Sequence, residues 1–279
     1  MSHESDSERD LIYALARTPE EAQRLAQQTV LWRDATAQVL DQLGLSDGMS
    51  CLDFGCGAGD VMLALGRRVG PTGFVVGFDL DAELGERVAN ELNKRGVASF
   101  SFVEADVTKP ETLPAGQFDL TSARFLLLHM HDPVAVLKTM WELTKQGGVL
   151  VVFDYDFRTH DTQPPCPELE EFIRVVDGVF EKSDLDPRLG ARLPHYLECA
   201  TGAPPDGIDV SCFIVPGREV REFLLASYRS LLPAALKLGV TTEEQAEEMI
   251  AFLEDPEAGA GHSYYWVGAL YVAAWKRKG

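Results

Sequence analysis

Positive charge is scarce in this 279-residue sequence, which has 25 lysines and arginines against 44 aspartates and glutamates. The formal net charge is −19 at pH 7. A surface of that sign repels phosphate backbones and anionic membrane surfaces. We therefore expect neither a nucleic acid nor a membrane as a partner.

Long apolar runs and paired cysteines are also missing. No apolar run reaches the roughly 18 residues of a membrane-spanning helix, and the N-terminal stretch MSHESDSERD lacks the apolar segment of a secretory signal. The five cysteines form no C-x-x-C pair and are odd in number, which favours buried, reduced thiols. No His, Cys or Asp cluster has metal-ligand spacing. We therefore expect a soluble, cytoplasmic protein without a bound metal.

Short apolar runs alternate with helical patterns between residues 49 and 156. The runs are MSCLDFG, GFVVGFD, SFSFVEAD, FDLTSAR and GGVLVVFDYD. Such alternation is typical of βαβ units with a mainly parallel sheet and right-handed connections. We predict a doubly wound α/β sheet, whose ligand crevice lies beyond the carboxyl ends of its strands.

The two ends of the chain differ from this middle part. Residues 8–43 carry apolar side chains at helical spacing, so we expect helices at one edge of the sheet that could cover the crevice. After residue 156, a proline-bearing loop precedes helical patterns near 167–183 and 188–200.

The C-terminal third is predicted to return to the sheet. A strand IDVSCFIV is followed by a helical block from Glu219 to Glu254, with a T-x-x-E capping box at Thr241 and Glu244. The apolar stretch YYWVGALYVAAWKRK then predicts a final strand, although a buried helix would have a similar composition.

The most informative segment is LDFGCGAGD, residues 52–60, in which three glycines at alternate positions follow an aspartate. It departs from the dinucleotide fingerprint G-x-G-x-x-G because the third glycine comes early, at Gly59, and Asp60 stands where Gly or Ala is required. On the predicted architecture the segment is a strand end, a turn and the start of a helix. A ligand at this turn would contact backbone without side chains and could accept hydrogen bonds from backbone N–H groups.

Two further acids end the next two strands. Asp79 follows the glycine turn by about 20 residues, where an acid can accept both hydroxyls of a ribose. Asp106 closes the third strand. Acids at three successive strand ends suit a ligand with a ribose, an adenine amino group and an ammonium, and no phosphate.

Together these motifs resemble the class I S-adenosylmethionine-dependent methyltransferases. The resemblance rests on D-x-G-x-G-x-G, the ribose acid, A-D-V at the third strand and F-D-L at the fourth, and it runs through residues 50–156. FDLTSARFLLLHMHDP and QGGVLVVFDYD are similar to the branch that modifies small metabolites, including quinone and natural-product methyltransferases. The resemblance implies a Rossmann-like, seven-stranded sheet whose last strand runs antiparallel. It departs from the family at Gln146, where a proline is usual.

The resemblance also implies S-adenosylmethionine as the cofactor. The glycine turn, the aspartate beneath it and the end of the fourth strand would surround the methionine part, and the second and third strand ends would hold the ribose and adenine. In chain order the implied residues are Asp53, Gly55, Gly57, Gly59, Asp79, Leu80, Asp106, Val107, Ala123 and Arg124. Asp106 could instead cap a helix, and Arg124 could pair with a surface carboxylate.

Methyl transfer from a sulfonium needs no nucleophile from the protein, but a base is needed when the acceptor is a hydroxyl, an ammonium or an acidic carbon. The candidates on the loops after the fourth and fifth strands are His129, His131, Tyr155 and His160. We place His129 first, with His160 and Tyr155 next. A structural histidine before a helix cap would explain His129 equally, and a solvated turn would explain His160. His195 and His262 are expected on a helix surface and in a loop.

These features predict an N-terminal helical cap over residues 1–43 and a methyltransferase domain over 44–279 with a helical lid insertion at 216–256. The lid carries Phe223, Leu224, Tyr228, Leu231 and Leu232, which suit an aromatic or polyketide-like small-molecule acceptor or ordinary core packing. Two alternatives are a cofactor-binding enzyme of another reaction type, such as a cyclisation or decarboxylation, and a non-catalytic cofactor-binding protein. The methylated atom and the oligomeric state, a homodimer included, are left open.

Overall fold

The structure is a computed structural model that describes residues 19–109, 113, 116–255 and 264–279. Its described residues form two compact units. The first, here called the sheet unit, comprises the described residues within 31–155, 188–211 and 271–279. The second, the helical unit, comprises the described residues within 1–30, 156–187 and 212–270.

Ten strands and eight α-helices make up the described chain. The strands are β1 Ser50–Phe54, β2 Phe74–Asp79, β3 Phe100–Glu104, β4 Phe118–Arg124, β5 Thr144–Asp156, β6 Asp161–Gln163, β7 Gly207–Ser211, β8 Ile214–Pro216, β9 Tyr265–Val267 and β10 Leu270–Arg277. The helices are α1 Pro19–Gln42, α2 Asp60–Val69, α3 Glu83–Lys94, α4 Pro133–Leu143, α5 Pro167–Lys182, α6 Leu189–Thr201, α7 Gly217–Lys237 and α8 Glu243–Glu254.

The sheet unit is built on a seven-stranded sheet with strand order β3-β2-β1-β4-β5-β10-β7. β1 runs parallel to β2 and β4, β2 to β3, and β4 to β5, whereas β10 runs antiparallel to β7. The predicted doubly wound sheet with an antiparallel last strand is therefore confirmed. The strand order reverses between β1 and β4, and the crevice at the carboxyl ends of these strands is where such sheets bind ligands.

The buried strands and the start of α4 in the sheet unit agree with the sequence prediction. Leu52, Leu120 and Leu150 are almost completely buried, as expected for parallel strands covered on both faces. α4 begins as predicted, because the Asp132 carboxylate accepts a hydrogen bond from the backbone N–H of Ala135 at 3.0 Å.

The helical unit contains α5, α7, α8 and a second, three-stranded sheet with order β6-β9-β8. Both pairings in this sheet are antiparallel. Part of the predicted proline-bearing loop forms β6, so this sheet was not predicted. Its strands are only three residues long, too short for hydrophobic periodicity to reveal.

Two predicted strands are each divided in the structure. IDVSCFIV becomes β7 in the large sheet and β8 in the small one, and the C-terminal stretch becomes β9 and β10. The break in the second lies at Gly268, whose N–H donates to the carbonyl oxygen of Phe213 at 3.0 Å. A Cβ at Gly268 would lie 2.7 Å from the Phe213 ring, so a larger residue would force this ring to move. An apolar run gives no sign of such a change of sheet.

Helix ends and the N-terminal region were predicted with small errors. The capping box of α8 is formed by Thr242 and Gln245, one residue later than predicted, and Thr241 is buried instead. The helix predicted within residues 8–43 is α1, and residues 8–18 lie outside the described part. None of the described helices is both long and apolar enough to cross a membrane.

Candidate active site

The glycine turn after β1 has a backbone that requires glycine. Gly55, Gly57 and Gly59 have φ angles of 64°, 49° and 84°, a region that other residues rarely adopt. A Cβ at Gly55 would lie 2.9 Å from Leu126 Cδ1, whereas a Cβ at Gly57 would have no atom within 4 Å. The turn therefore packs against the loop after β4 on one side and leaves open space for a ligand at Gly57.

Asp79 lies directly beside this turn. Its Oδ2 accepts a hydrogen bond from the Gly57 N–H at 2.8 Å, and its Oδ1 accepts one from the Asp81 N–H at 3.1 Å. Burial raises the pKa of Asp79, although these backbone hydrogen bonds lower it. The structure thus brings together the two motifs that the sequence separates by about 20 residues. Leu80 follows with 36% of its surface exposed.

Asp53 lies beneath the turn and is 1% exposed. Burial raises its pKa to about 7, opposed by a hydrogen bond from the Ser122 hydroxyl and by the charge of Arg124. The Ser122 Oγ donates to Asp53 Oδ1 at 2.8 Å. Sequence reasoning missed Ser122, since nothing in FDLTSAR distinguishes a serine that satisfies a buried acid.

Asp106 makes hydrogen bonds within its own turn, and no helix begins at residues 107–109. Its Oδ1 accepts from the Thr108 N–H at 2.9 Å, and its Oδ2 lies 3.0 Å from Lys109 Nζ. Burial alone would raise the pKa of Asp106, but the hydrogen bonds from Thr108 and Lys109 lower it overall. The adjoining Val107 is buried.

Arg124 ends β4, one residue after the buried Ala123, and its side chain is 11% exposed. Its Nη2 lies 3.7 Å from Asp60 Oδ2, and its Nη1 donates to the Thr36 hydroxyl at 3.4 Å. The carboxylate that it faces is therefore the first residue of α2, at the glycine motif. Thr36 was also missed, because α1 carries no recognisable motif.

An aromatic cluster adjoins Arg124. Phe125 has a φ angle of 57°, which is unusual for a bulky residue, and its ring stacks on Tyr155 with centroids 4.1 Å apart. Tyr155, a candidate base, is only 7% exposed and also packs on Trp32. The left-handed backbone at Phe125 places a strained residue directly at the strand end where the site was predicted.

His129 belongs to the 3-10 turn Leu127–His129 after β4 and is partly exposed. The turn is held by Asp154, a fully buried acid on β5 whose Oδ2 accepts from the Leu128 N–H at 3.1 Å. Burial raises the pKa of Asp154 to about 8, although hydrogen bonds from Tyr155 and Leu128 lower it. Asp154 was not singled out as a site residue, although an acid within the apolar run VLVVFDYD was a usable signal. His131 is exposed.

His160 lies in the helical unit, where its ring packs 5.1 Å from the rings of both Phe157 and Trp266. Its Nδ1 is buried and has no hydrogen-bond partner among the described residues. Burial lowers the pKa of His160 to about 4, so the imidazole is neutral at pH 7. The nearby Asp156 is buried and paired with Arg158, so this segment is not a solvated turn.

The remaining histidines and acids form no metal site in the part of the chain that the structure describes. His195 is on α6, 3.6 Å from the Cys199 sulfur. His262 falls outside the described residues.

A seven-stranded sheet of this order, with a glycine turn joined to an acid at the end of β2, defines the class I methyltransferase fold. The methyltransferase domain family matches residues 45–191, more than half of the chain, and the chain belongs to this family. It is an S-adenosylmethionine-dependent methyltransferase of the small-molecule type, as predicted, and S-adenosylmethionine is its cofactor.

Individual relatives agree with this assignment. The chain is 30% identical to nocamycin O-methyltransferase from Saccharothrix syringae over 201 residues, covering 68% of this chain and 67% of that protein. It is 30% identical to demethylmenaquinone methyltransferase from Lactococcus lactis, covering 55% and 60%. The chain therefore spans about three fifths to two thirds of the length of these relatives. A Bacillus halodurans protein described as a methyltransferase has the same fold, with a TM-score of 0.58, 17% identity and coverage of 87% and 97%.

Proposed function

We propose that this enzyme methylates a small-molecule acceptor in a natural-product or quinone-like biosynthetic route. The observation that carries the proposal is the contact between Gly57 and Asp79, which joins the glycine turn to the ribose acid at the edge of the sheet. The names of the two relatives support the acceptor class. The net charge of −19 argues against a nucleic-acid acceptor.

The adenosine part of the cofactor would lie over the ends of β2 and β3. Asp79 would accept hydrogen bonds from both ribose hydroxyls, and Leu80, which is exposed directly after this acid, would pack on the adenine. Asp106 and Val107 would contact the adenine edge. The Ala105 N–H donates to the Asp79 carbonyl oxygen at 2.9 Å, which keeps these two strand ends in register for one ligand.

The methionine part would lie against the glycine turn and the end of β4. Gly55, Gly57 and Gly59 would border it above Asp53, with Ala123 and Arg124 on the far side. The charges of Asp79 and Asp60 both raise the pKa of Asp53, and a region that is this acidic favours a cationic ligand, as the sulfonium and the ammonium both are.

His129 would act as the general base. The bound cofactor would supply the methyl group and would keep the electron pair of the carbon–sulfur bond, and His129 would accept the proton that the acceptor atom loses. His160 ranks second because its lowered pKa makes it a weaker base, and Tyr155 ranks third because its ring is packed between Trp32 and Phe125. The short turn held by Asp154 gives His129 a defined position.

The acceptor is proposed to be aromatic or polyketide-like and to contact residues of the segment 216–256. Leu224 and Tyr228 on α7 are each 1% exposed and belong to the core of the helical unit. Phe223, Leu231 and Leu232 are only partly buried, so these apolar side chains on α7 would be available to contact such a ligand.

Calorimetry with S-adenosylhomocysteine tests the cofactor site. Asp79→Ala should weaken binding at least tenfold, because each charge-assisted hydrogen bond to the ribose contributes about 1.5–3 kcal/mol. Asp119→Ala is a matched control, since Asp119 accepts from the Ser50 N–H at 2.8 Å at the other end of β4. Equal affinity in the Asp79 variant and the wild type would exclude the assignment.

Incubation with methyl-labelled S-adenosylmethionine and a panel of phenols, quinols and polyketide-like acceptors tests the reaction. Label in the acceptor is the expected result. Conversion of an acceptor without label would indicate another reaction type, and cofactor binding without conversion of any acceptor would contradict the proposed acceptor class.

A further inference from the structure

Thr36 lies in the C-terminal half of α1 and contacts the end of β4. Its hydroxyl donates to the carbonyl oxygen of Trp32, one helical turn earlier, at 2.8 Å. It also lies 2.6 Å from the Tyr271 hydroxyl and 3.4 Å from Arg124 Nη1. All four residues belong to the sheet unit. Thr36 is 2% exposed and Tyr271 is 1% exposed.

The direction of each hydrogen bond in this group follows from counting protons. A threonine hydroxyl has one proton and two acceptor positions. Because that proton is given to Trp32, the Tyr271 hydroxyl must donate to Thr36, and Arg124 must donate as well. Thr36 is therefore fully occupied, with two hydrogen bonds accepted and one donated.

The hydrogen bond to Thr36 uses only part of the hydrogen-bonding capacity of the Arg124 guanidinium. A guanidinium has five N–H groups, and this one bonds the hydroxyl of Thr36 at 3.4 Å and also the hydroxyl of Tyr271. Asp60 lies at 3.7 Å, within ion-pair range but longer than a hydrogen bond, and the Phe125 ring supports the guanidinium from 5.5 Å. The planar group is thus fixed on one edge while other N–H groups remain for a ligand.

We propose that Thr36, itself held by Tyr271, is a positioning residue that orients Arg124 to bind the carboxylate of the cofactor's methionine part. This inference rests on the proposed cofactor site, in which the methionine part lies beside Arg124. A guanidinium matches a carboxylate with two parallel hydrogen bonds, and that match depends on the plane of the guanidinium being fixed. Asp60, on the same guanidinium, favours the neighbouring ammonium of the same ligand.

The test compares two ligands that differ only in the part that Arg124 would bind. S-Adenosylhomocysteine carries the amino-acid group, and 5′-methylthioadenosine lacks it. Thr36→Val removes the hydroxyl with little change in volume and should weaken S-adenosylhomocysteine binding about tenfold, while 5′-methylthioadenosine binding changes less than twofold. Thr36→Ser should restore the affinity, and Tyr271→Phe should give a smaller loss of the same selectivity.

Thr144→Val is the matched control. Thr144 is also buried, donates to the carbonyl oxygen four residues earlier at 2.8 Å, and pairs with the hydroxyl of Thr121 at 2.7 Å. Within the described residues, its hydroxyl has no hydrogen bond with an arginine. It should leave the affinities for both ligands unchanged. Unchanged S-adenosylhomocysteine affinity in Thr36→Val, or an equal loss for both ligands, would overturn the positioning role. Failure of the wild type to bind either ligand would instead refute the proposed cofactor site.

Discussion

At the scale of single residues, the site combines backbone geometry with buried acids. The glycines are required by their φ angles, and the Gly57 N–H orients Asp79 through a hydrogen bond. Preorganisation of this kind lowers the entropy lost on binding. Asp53 and Asp154 are acids whose burial raises the pKa towards neutrality, and each is satisfied by named hydrogen-bond donors. Residue chemistry and local backbone therefore support the same site.

Replacing His129 by Gln is expected to lower kcat by about 10²-fold or more, because general-base catalysis typically contributes 10²–10⁴-fold. Affinity for S-adenosylhomocysteine should stay within twofold, since the proposed role concerns the acceptor's proton. Turnover of the labelled cofactor checks the first value and calorimetry the second. His131→Gln, two residues away and exposed, is the control and should retain full activity. A melting temperature that falls together with activity would identify His129 as a structural residue.

At the scale of elements, the end of β5 and the 3-10 turn after β4 are joined by one buried carboxyl group. Asp154 accepts from the Leu128 N–H, and its pKa is raised to about 8, well above its ordinary value near 3.8. An unfolded chain releases this proton near pH 4, whereas the folded protein keeps it until about pH 8. The contribution of Asp154 to stability is therefore fully present below about pH 4 and decreases as the pH rises towards 8.

We predict that Asp154→Asn reduces this pH dependence. Asparagine retains a carbonyl oxygen for the Leu128 N–H but does not titrate. Urea unfolding at pH 5 and pH 8 should show a smaller loss of stability for the variant than for the wild type. One pKa unit corresponds to about 1.4 kcal/mol, so even part of the shift is measurable. All other titrating groups are the same in the two proteins, so a difference in pH dependence reports on Asp154 alone. An equal loss of stability between pH 5 and pH 8 in the variant and the wild type would contradict the raised pKa.

Elements that depend on local sequence signals could be predicted, whereas features that depend on distant contacts could not. The five parallel strands and the capped start of α4 follow from apolar runs and cap residues, because these are local signals. The division of the C-terminal strand at Gly268 does not, since it depends on the distant Phe213. Thr36 could not be predicted for the same reason: it meets Arg124 across 88 positions of the chain, and its own surroundings form an ordinary helix.

At the scale of the whole molecule, a cap over residues 1–43 and a lid over 216–256 are proposed. The division of the described chain into two units indicates which other residues would move with the lid. The segment 216–255 belongs to the helical unit together with residues 156–187. The small sheet joins β6 to β8 through β9, and the Arg174 side chain of α5 donates to the carbonyl oxygen of Val240 at 3.0 Å. Segments joined by shared strands and packed helices tend to open as one cooperative unit.

We therefore predict that hydrogen exchange of α5, α7 and α8 changes together when S-adenosylhomocysteine and an acceptor analogue bind. Closure of a lid excludes water from the sulfonium, so amide protection should rise in all three helices and in residues 19–43. α4, which lies in the sheet unit, is the internal reference and should change little. If α7 and α8 gained protection while α5 did not, the lid would be the shorter insertion 216–256 alone. Unchanged protection of α7, α8 and residues 19–43 would contradict a lid in any form and leave these helices as static parts of the fold.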